Sequence, residues 1–568
     1  MKNTINKIFL ILPKKYFSGL LLILIMTLLI STFEVFSIAL IIPLLSNFTD
    51  NNEYFILNYF PIFQKYNSNQ ILALIIFLFL FIFFLKNILL IFFNMIKSKF
   101  SHKLFIDLSN KMLKIYLNKD YSFFIKNNSS ELIRNVSIEC SILTFGVVSV
   151  FINLISDLII VFSICLFLLF YNFYASTFII MFIFVISFVL LKFTNKKFKH
   201  WGTIRHKYSS KIYQNLQEIF GYIKEIILSG SHNYFLKQYS SFNTVNSNAS
   251  INRDVYSVLP RPFLETIALL CFSILILILL FSGIERSEIL ILIGTIFFSS
   301  IKLLPLVSNI IKSLQNIKYN FSSVKIIYHE LNKVNINSKK TDLVKINKNF
   351  FIVKFHNIFF SYDKKKNIIN NLSFEIKKND KIGIMGKSGS GKTTFLNLFT
   401  GLLSCTVGEI TVDDMNITTI SNQWKRKIGY VHQNIFLADD TILFNIALKK
   451  TLSKIELLKM WKILRIVEMD KYITSLDFGL YTIVGERGSR LSGGQSQRLG
   501  LARALFFDPS IIILDEATSG LDEKTQERIL KYIYNMKNKT VIAVSHRINA
   551  LKYCDKIFSF KNGQLLKY

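Results

Sequence analysis

The residues with the clearest chemistry are Gly386-Lys387-Ser388-Gly389-Ser390-Gly391-Lys392-Thr393, which fit the pattern G-x-x-x-x-G-K-[ST]. Glycines at this spacing let backbone N–H groups wrap a phosphate without side-chain clash, and the helix N-terminus that follows adds positive potential. Gly386, Ser388, Gly389, Ser390, Gly391 and Thr394 are therefore expected around the phosphates of a nucleotide. Lys392 is expected to reach the β- and γ-phosphates, and the Thr393 hydroxyl to bind Mg²⁺. Such an octamer does arise by chance, but here the apolar strand Lys381–Met385 precedes it and a helical pattern follows.

Further on, Ile511-Ile512-Ile513-Leu514-Asp515-Glu516 reads as an apolar strand that ends in two acids. Burying the aliphatics and then presenting two carboxylates at the strand's end suits a site better than a fold requirement. Asp515 is expected to organise Mg²⁺, partly through water, and Glu516 to polarise an attacking water. A surface acid pair fits this strand and spacing poorly. Between the two motifs, Leu491-Ser492-Gly493-Gly494-Gln495 opens a helix. Ser492 then offers a hydroxyl, and Gly493 and Gly494 offer free N–H groups, at a positive helix end.

Holding these groups together takes a strand, a Gly-rich loop, a helix and a second strand ending in acids, which is a P-loop α/β core. The pattern predicts it from Phe350 onwards: a β-rich start (Phe351–Phe360, Leu372–Ile376), helices at Ser453–Met469, Gln495–Phe507 and Glu523–Asn535, and a strand at Thr540–Val544. Residues 333–349 are polar, rich in Lys and Asn, and read as a linker. Residues 1–332 are different: they hold about six apolar runs, most of roughly 20 residues or more, long enough to cross a bilayer. These are Phe17–Leu45, Ile71–Phe93, Ile142–Phe170, Ala175–Leu191, Phe263–Phe281 and Ile289–Ile311. The first is too long for the apolar part of a signal peptide and lacks a small-residue cleavage site.

Lysines cluster before the first run, after the second and after the fourth, while the opposite loops are short or acidic. By the positive-inside rule the N-terminus, the long loops and the C-terminal half (350–568) are cytoplasmic. The formal net charge of +32 would otherwise invite a nucleic-acid partner. No basic helix interleaved with aromatics is present, so nucleic acid is set aside as a partner. The five cysteines are scattered, with no CxxC and no metal-ligand spacing. Two long loops, Lys97–Cys140 and Phe193–Leu259, contain almost no Gly or Pro and read as helical hairpins. A 30-residue arm of this kind reaches about 45 Å beyond the bilayer.

Taken together, the P-loop, the LSGGQ stretch at Leu491–Gln495 and the acid pair resemble the nucleotide-binding domain of ATP-binding-cassette (ABC) proteins. With the helical arms, nearly the whole chain resembles ABC exporters. The fold class this implies is an all-α six-helix transmembrane domain of the type I/type IV exporters fused to an α/β P-loop nucleotide-binding domain. The resemblance also implies ATP and Mg²⁺ as cofactors and ATP hydrolysis coupled to transport. Residue by residue, Tyr362 matches the aromatic that stacks on adenine, Gln433 the glutamine that reaches metal and attacking water, and His546 the histidine that contacts the γ-phosphate. Ser519-Gly520-Leu521-Asp522 matches the loop that communicates across the dimer, with Gly520 where Ala is common. Ser492, Gly493, Gly494 and Gln495 are implied to meet the ATP of a second copy, so a homodimer with two composite sites is expected. The arm tips, which resemble coupling helices, are expected near Tyr121–Lys126 and Gln214–Tyr222.

For the cargo, two readings of the ionisable residues in the spans stand side by side. In one, Arg261 and Glu265 neutralise each other one helical turn apart, and Glu34 pairs with Lys86 between helices. In the other, Lys86, Arg261 and Lys302 bind substrate. This second reading rests on a resemblance of Phe33–Pro43, Leu259-Pro260-Arg261 and Ile301–Pro305 to bacterial lipid-linked oligosaccharide flippases of the protein-glycosylation pathway. The loop Asn51–Gln64 fits that family as a short external amphipathic helix. The cargo then implied is a polyprenyl-pyrophosphate-linked glycan, flipped across the bacterial plasma membrane. At two of the three positions Lys stands where Arg is expected, which keeps the charge but loses bidentate phosphate geometry. Export of another amphiphile, such as a lipid A precursor or a peptide, is the main rival. A non-transporting regulator fits less well, because Glu516 and His546 are both present.

Overall fold

The structure is a computed structural model that describes residues 7, 10–46, 68–281, 285–332, 352–363, 365–518 and 520–568. The expected linker 333–349, the loop Asn51–Gln64 and Ser519 lie outside the described residues. The chain divides into two compact units: Met1–Lys119 with Phe124–Asn337, and Asp120–Phe123 with Ser338–Tyr568.

The first unit is helical. Among the described residues, six helices are long and apolar enough to cross a membrane: Lys14–Ser46, Asn69–Leu117, Ser129–Tyr171, Phe173–Gly221, His232–Leu280 and Ser287–Tyr319. Five of the expected apolar runs lie inside one of them, and the run Phe263–Phe281 ends one residue beyond the fifth. Four of the six span 43 to 49 residues, more than twice what a bilayer needs, so they carry polar extensions of the kind the arms require. A short helix at Tyr121–Lys126 sits where the first tip was expected. The second tip differs. The fourth helix runs unbroken through Gln214 to Gly221, and the short helix is Ile223–Ser229. Gly221 is the last residue of the long helix; the chain turns at Tyr222 and again at Gly230, whose φ of 66° closes the short helix.

In the third helix, Asn135–Glu139 and Ile142–Val148 are π-helical, a widened turn that no residue pattern announces. The fourth and sixth helices touch backbone to backbone. A Cβ added at Gly202 would lie 2.0 Å from the Tyr319 carbonyl oxygen, so only glycine fits. On either side of that contact, Gln315 donates to Thr194 Oγ1 (3.0 Å) and Arg205 donates to Asn320 Oδ1 (3.2 Å).

The second unit is an α/β fold with ten strands among the described residues: β1 Ile352–Phe360, β2 Ile369–Lys377, β3 Lys381–Met385, β4 Val407–Val412, β5 Met415–Asn416, β6 Ile428–Val431, β7 Ile511–Asp515, β8 Thr540–Val544, β9 Lys556–Lys561 and β10 Gln564–Lys567. They form an antiparallel sheet in the order β2-β1-β4-β5 and a larger sheet in the order β10-β9-β3-β8-β7-β6. Within the larger sheet, β9, β3, β8, β7 and β6 are mutually parallel. β7 shows why a continuous aliphatic run is needed. Ile511 and Ile513 enter one core with Phe395, Phe399 and Trp424, whereas Ile512 and Leu514 enter another with Leu499, Leu505 and Ile529. Both faces of the strand are covered, as a parallel sheet requires.

Candidate functional site

Parallel pairing brings four strand ends to one edge of the larger sheet. Leu514 of β7 stands opposite Val431 of β6 and Ala543 of β8, and Ile384 of β3 stands opposite Val544. Just beyond that edge lie Gly386, Gln433, Asp515, Glu516 and His546, the edge at which open α/β sheets bind ligands.

The loop after β3 leads into the helix Lys392–Phe399, whose N-cap, Gly391, makes no side-chain cap. The first amides of that helix therefore face outward unpaired. Gly389 and Gly391 take φ of 76° and 111°, and a Cβ at Gly391 would sit 3.0 Å from the Phe560 ring. The loop is a cradle that side chains would fill. Ser390 Oγ is buried there without a hydrogen-bond partner. Lys392 folds back, donating to the carbonyls of Gly386 (2.7 Å) and Lys387 (3.0 Å). Burial lowers its pKa, and the charges of Glu516 and Asp515 oppose that shift. The Thr393 side chain is exposed, and Thr394 Oγ1 lies 3.4 Å from the Tyr362 hydroxyl. Tyr362 stands edge-on to Phe360 with its ring partly in solvent. An orphaned buried hydroxyl, uncapped amides, and hydroxyl and carboxylate oxygens around one loop fit a nucleotide triphosphate with Mg²⁺, a hard cation that takes oxygen ligands.

The acids are held from the neighbouring strands. Asp515 is 8% exposed and accepts a 2.9 Å hydrogen bond from the Tyr430 hydroxyl. Burial raises the Asp515 pKa, the Tyr430 bond opposes this, and the charge of Glu516 adds to the rise. Glu516 takes a left-handed φ of 51°, costly for a side chain with a Cβ. Its backbone N–H donates to the Val544 carbonyl at 3.0 Å, which holds that conformation. Its carboxylate is gripped from both sides: Gln433 Nε2 donates to Oε2 at 2.8 Å, and His546 Nε2 lies 2.9 Å from Oε1. His546 Nε2 is also 3.4 Å from Lys392 Nζ, so one chain of contacts joins the P-loop lysine to the acid.

At Leu491–Gln495 the expected helix start is present, with a capping box. Ser492 Oγ accepts from the Gln495 N–H (3.2 Å), and Gln495 Oε1 accepts from the Ser492 N–H (2.8 Å). Gly493 and Gly494 occupy the first helical positions, so their amides lie outside the intrahelical ladder. Asp522 caps the helix Glu523–Tyr534 by accepting from the Thr525 N–H at 2.9 Å. Two contributors escaped the sequence reading. Tyr430 looks like an ordinary strand residue, and Gln497, which accepts from the Gly520 N–H at 2.9 Å, looks like one more helix polar residue. Neither type nor spacing marks them.

In the helical unit the two readings of the span charges are resolved into contacts. Lys86 Nζ lies 2.7 Å from Glu34 Oε2, and Lys302 Nζ lies 3.4 Å from Glu34 Oε1. Both lysines also lie over the Phe83 ring, at 4.5 and 5.0 Å. Arg261 instead pairs with Glu265 at 2.8 Å on its own helix, with 65% of its side chain exposed. Lys86 and Lys302 meet on one carboxylate, and Arg261 has a separate partner.

A six-helix membrane unit carrying a P-loop ATPase unit defines an ATP-driven membrane transporter. Comparison with known proteins gives the family. Residues 19–305 match the ABC transporter transmembrane region and residues 369–519 the ABC transporter ATP-binding family, and the chain belongs to the ABC transporters. It is 28% identical over 481 residues, covering 82% of this chain and 80% of the relative, to the ATP-dependent lipid A-core flippase of Wigglesworthia glossinidia brevipalpis. It is 37% identical over 219 residues, 38% of this chain and 29% of the relative, to the mitochondrial iron-sulfur clusters transporter ATM1 of Candida albicans. Among solved structures, a bacterial Atm1-family ABC exporter with ATP bound shares the fold, with a TM-score of 0.79 at 18% identity, covering 97% of this chain and 95% of that one. The chain is thus an ATP-driven ABC transporter, which uses ATP with Mg²⁺ and couples hydrolysis to transport, and its fold is that of the Atm1-family exporter.

Proposed function

We propose that a homodimer of this chain flips an amphiphilic lipid with a phosphorylated headgroup across a bacterial plasma membrane, with the ATPase unit on the cytoplasmic side. The observation that carries the reading is the pair of lysines on Glu34. Two cations against one buried carboxylate leave one unit of positive charge inside the helical unit, and intramembrane charge of this kind is expensive unless it serves a ligand. Lipid A-type cargo is the first choice, because a lipid A-core flippase is similar along four fifths of the chain. A polyprenyl-pyrophosphate-linked glycan is the second, favoured by the likeness of the segments around Glu34, Arg261 and Lys302 to oligosaccharide flippases. Both present phosphate to the lysines, and Arg261 joins them only if it releases Glu265.

In the ATPase unit, Lys392 and the P-loop amides hold the phosphates, Tyr362 stacks on the base, and Thr393, Gln433 and Asp515 hold Mg²⁺. Glu516 orients the attacking water once Gln433 and His546 loosen their grip, and His546 then turns to the γ-phosphate. Ser492, Gly493, Gly494 and Gln495, with Asp522, complete the site from the other copy. The test is ATP-dependent translocation in proteoliposomes, with lipid A and a lipid-linked oligosaccharide assayed separately and Glu516→Gln as control. Movement of either lipid by the wild type alone supports the reading and names the cargo. Vigorous ATPase with neither lipid moved would overturn the phosphorylated headgroup.

A further inference from the structure

β6 delivers two side chains to the two acids. Tyr430 donates to Asp515 Oδ2 at 2.9 Å, and Gln433, three residues later, donates to Glu516 Oε2 at 2.8 Å. The Tyr430 ring is steadied by His432, whose ring centroid lies 4.1 Å away. Among the described residues Asp515 Oδ1 has no hydrogen-bond partner, and the carboxylate is buried. One oxygen is fixed by a neutral donor and the other is left to a ligand. A buried carboxylate that binds metal through one oxygen needs its other oxygen held, or it turns among rotamers that do not ligate.

We propose that Tyr430 is a positioning residue for the metal site: its hydroxyl clamps Oδ2 of Asp515 and so presents Oδ1 to Mg²⁺. The inference rests on the reading that Asp515 holds Mg²⁺. It also ties the metal acid to the segment that carries Gln433, so a shift of β6's end reaches both acids at once. A tyrosine chosen only to fill the strand would be replaced by phenylalanine without effect on the metal.

The test uses the full-length protein in detergent, with Tyr430→Phe, which keeps the ring, and Asp515→Asn. Affinity for a fluorescent ATP analogue is measured in EDTA and in Mg²⁺, hydrolysis is titrated against free Mg²⁺, and Mn²⁺ bound with ADP is followed by electron paramagnetic resonance. For Tyr430→Phe, affinity in EDTA should stay at the wild-type value. The free Mg²⁺ giving half-maximal hydrolysis should rise about 10-fold, the low end for losing an outer-shell partner. The rate at saturating Mg²⁺ should return close to wild type, and the Mn²⁺ spectrum should change. An unchanged Mg²⁺ dependence, or a loss of affinity equal in EDTA and Mg²⁺, overturns the proposal. If Asp515→Asn also leaves the Mg²⁺ dependence unchanged, the metal role of Asp515 falls first. If Asp515→Asn shifts it and Tyr430→Phe does not, only the role of Tyr430 falls.

Discussion

Replacing Glu34 by Gln should destabilise the helical unit more than replacing either lysine. Lys86 is 4% exposed and its ammonium has Glu34 at 2.7 Å. Removing the carboxylate's charge leaves that ammonium buried against the Phe83 ring alone. Breaking a buried ion pair from one side costs about 3–5 kcal/mol. The cation–π contact at 4.5 Å offsets about 1 kcal/mol of this, and the Gln oxygen still accepts one hydrogen bond worth about 1 kcal/mol. The net loss is about 2 kcal/mol. Lys302→Met is milder, about 1 kcal/mol or less, because Glu34 keeps Lys86 and the Lys302 side chain is already 21% exposed. The combined Glu34→Gln and Lys86→Met variant should recover part of the loss, since it removes the more deeply buried of the two ammonium groups that lose Glu34 and leaves only the partly exposed Lys302. Thermal midpoints of the purified protein in one detergent give the order directly. If Glu34→Gln melts no lower than Lys302→Met, or the double variant melts below Glu34→Gln, the charge argument is wrong.

Other outcomes follow from the same contacts. Glu516→Gln should bind ATP normally yet lose hydrolysis by about 10²–10⁴-fold in a phosphate-release assay; undiminished turnover would remove Glu516 from its role. Gly202→Ala should lower the melting midpoint by the equivalent of about 1–3 kcal/mol, because the methyl group meets the Tyr319 carbonyl at 2.0 Å. Ser453 closes a second capping box, with Glu456, on a helix remote in sequence from the motifs. Ser453→Ala should cost about 1 kcal/mol and leave the ATPase rate alone, whereas Ser492→Ala, costing the same cap, should also weaken ATP-driven closure of the dimer. Burial pushes the Cys554 thiol up to about 11. A variant retaining only that cysteine should label slowly with maleimide at neutral pH and about tenfold faster for each unit of pH towards that value.

The ATPase unit was largely legible in the sequence because its constraints are local. A Gly-rich loop needs its glycines at fixed offsets, and β7 needs aliphatics on both faces up to the residue where the acids begin. Pairing between Glu34 and Lys86, and between Arg261 and Glu265, was also readable, since few ionisable groups share the apolar spans. Lys302's turn toward Glu34 was not, because it depends on how three helices pack. The second tip was expected about two turns before the short helix Ile223–Ser229, because the few glycines of the loop do not mark how far the long helix runs before it breaks at Tyr222. Tyr430 was invisible for a different reason: its strand asks for a β-former, and its chemistry arises only once β6 lies beside β7.

The seat of the Tyr319 carbonyl against Gly202 has a mechanical corollary. With no clearance between the two backbones, and with Gln315–Thr194 on one side and Arg205–Asn320 on the other, the fourth and sixth helices cannot slide past each other. They behave as a single lever. Slack for any reshaping of the helical unit must then come from softer places, and the loosened turns at Asn135–Glu139 and Ile142–Val148 of the third helix are where the ladder already departs from its tightest winding.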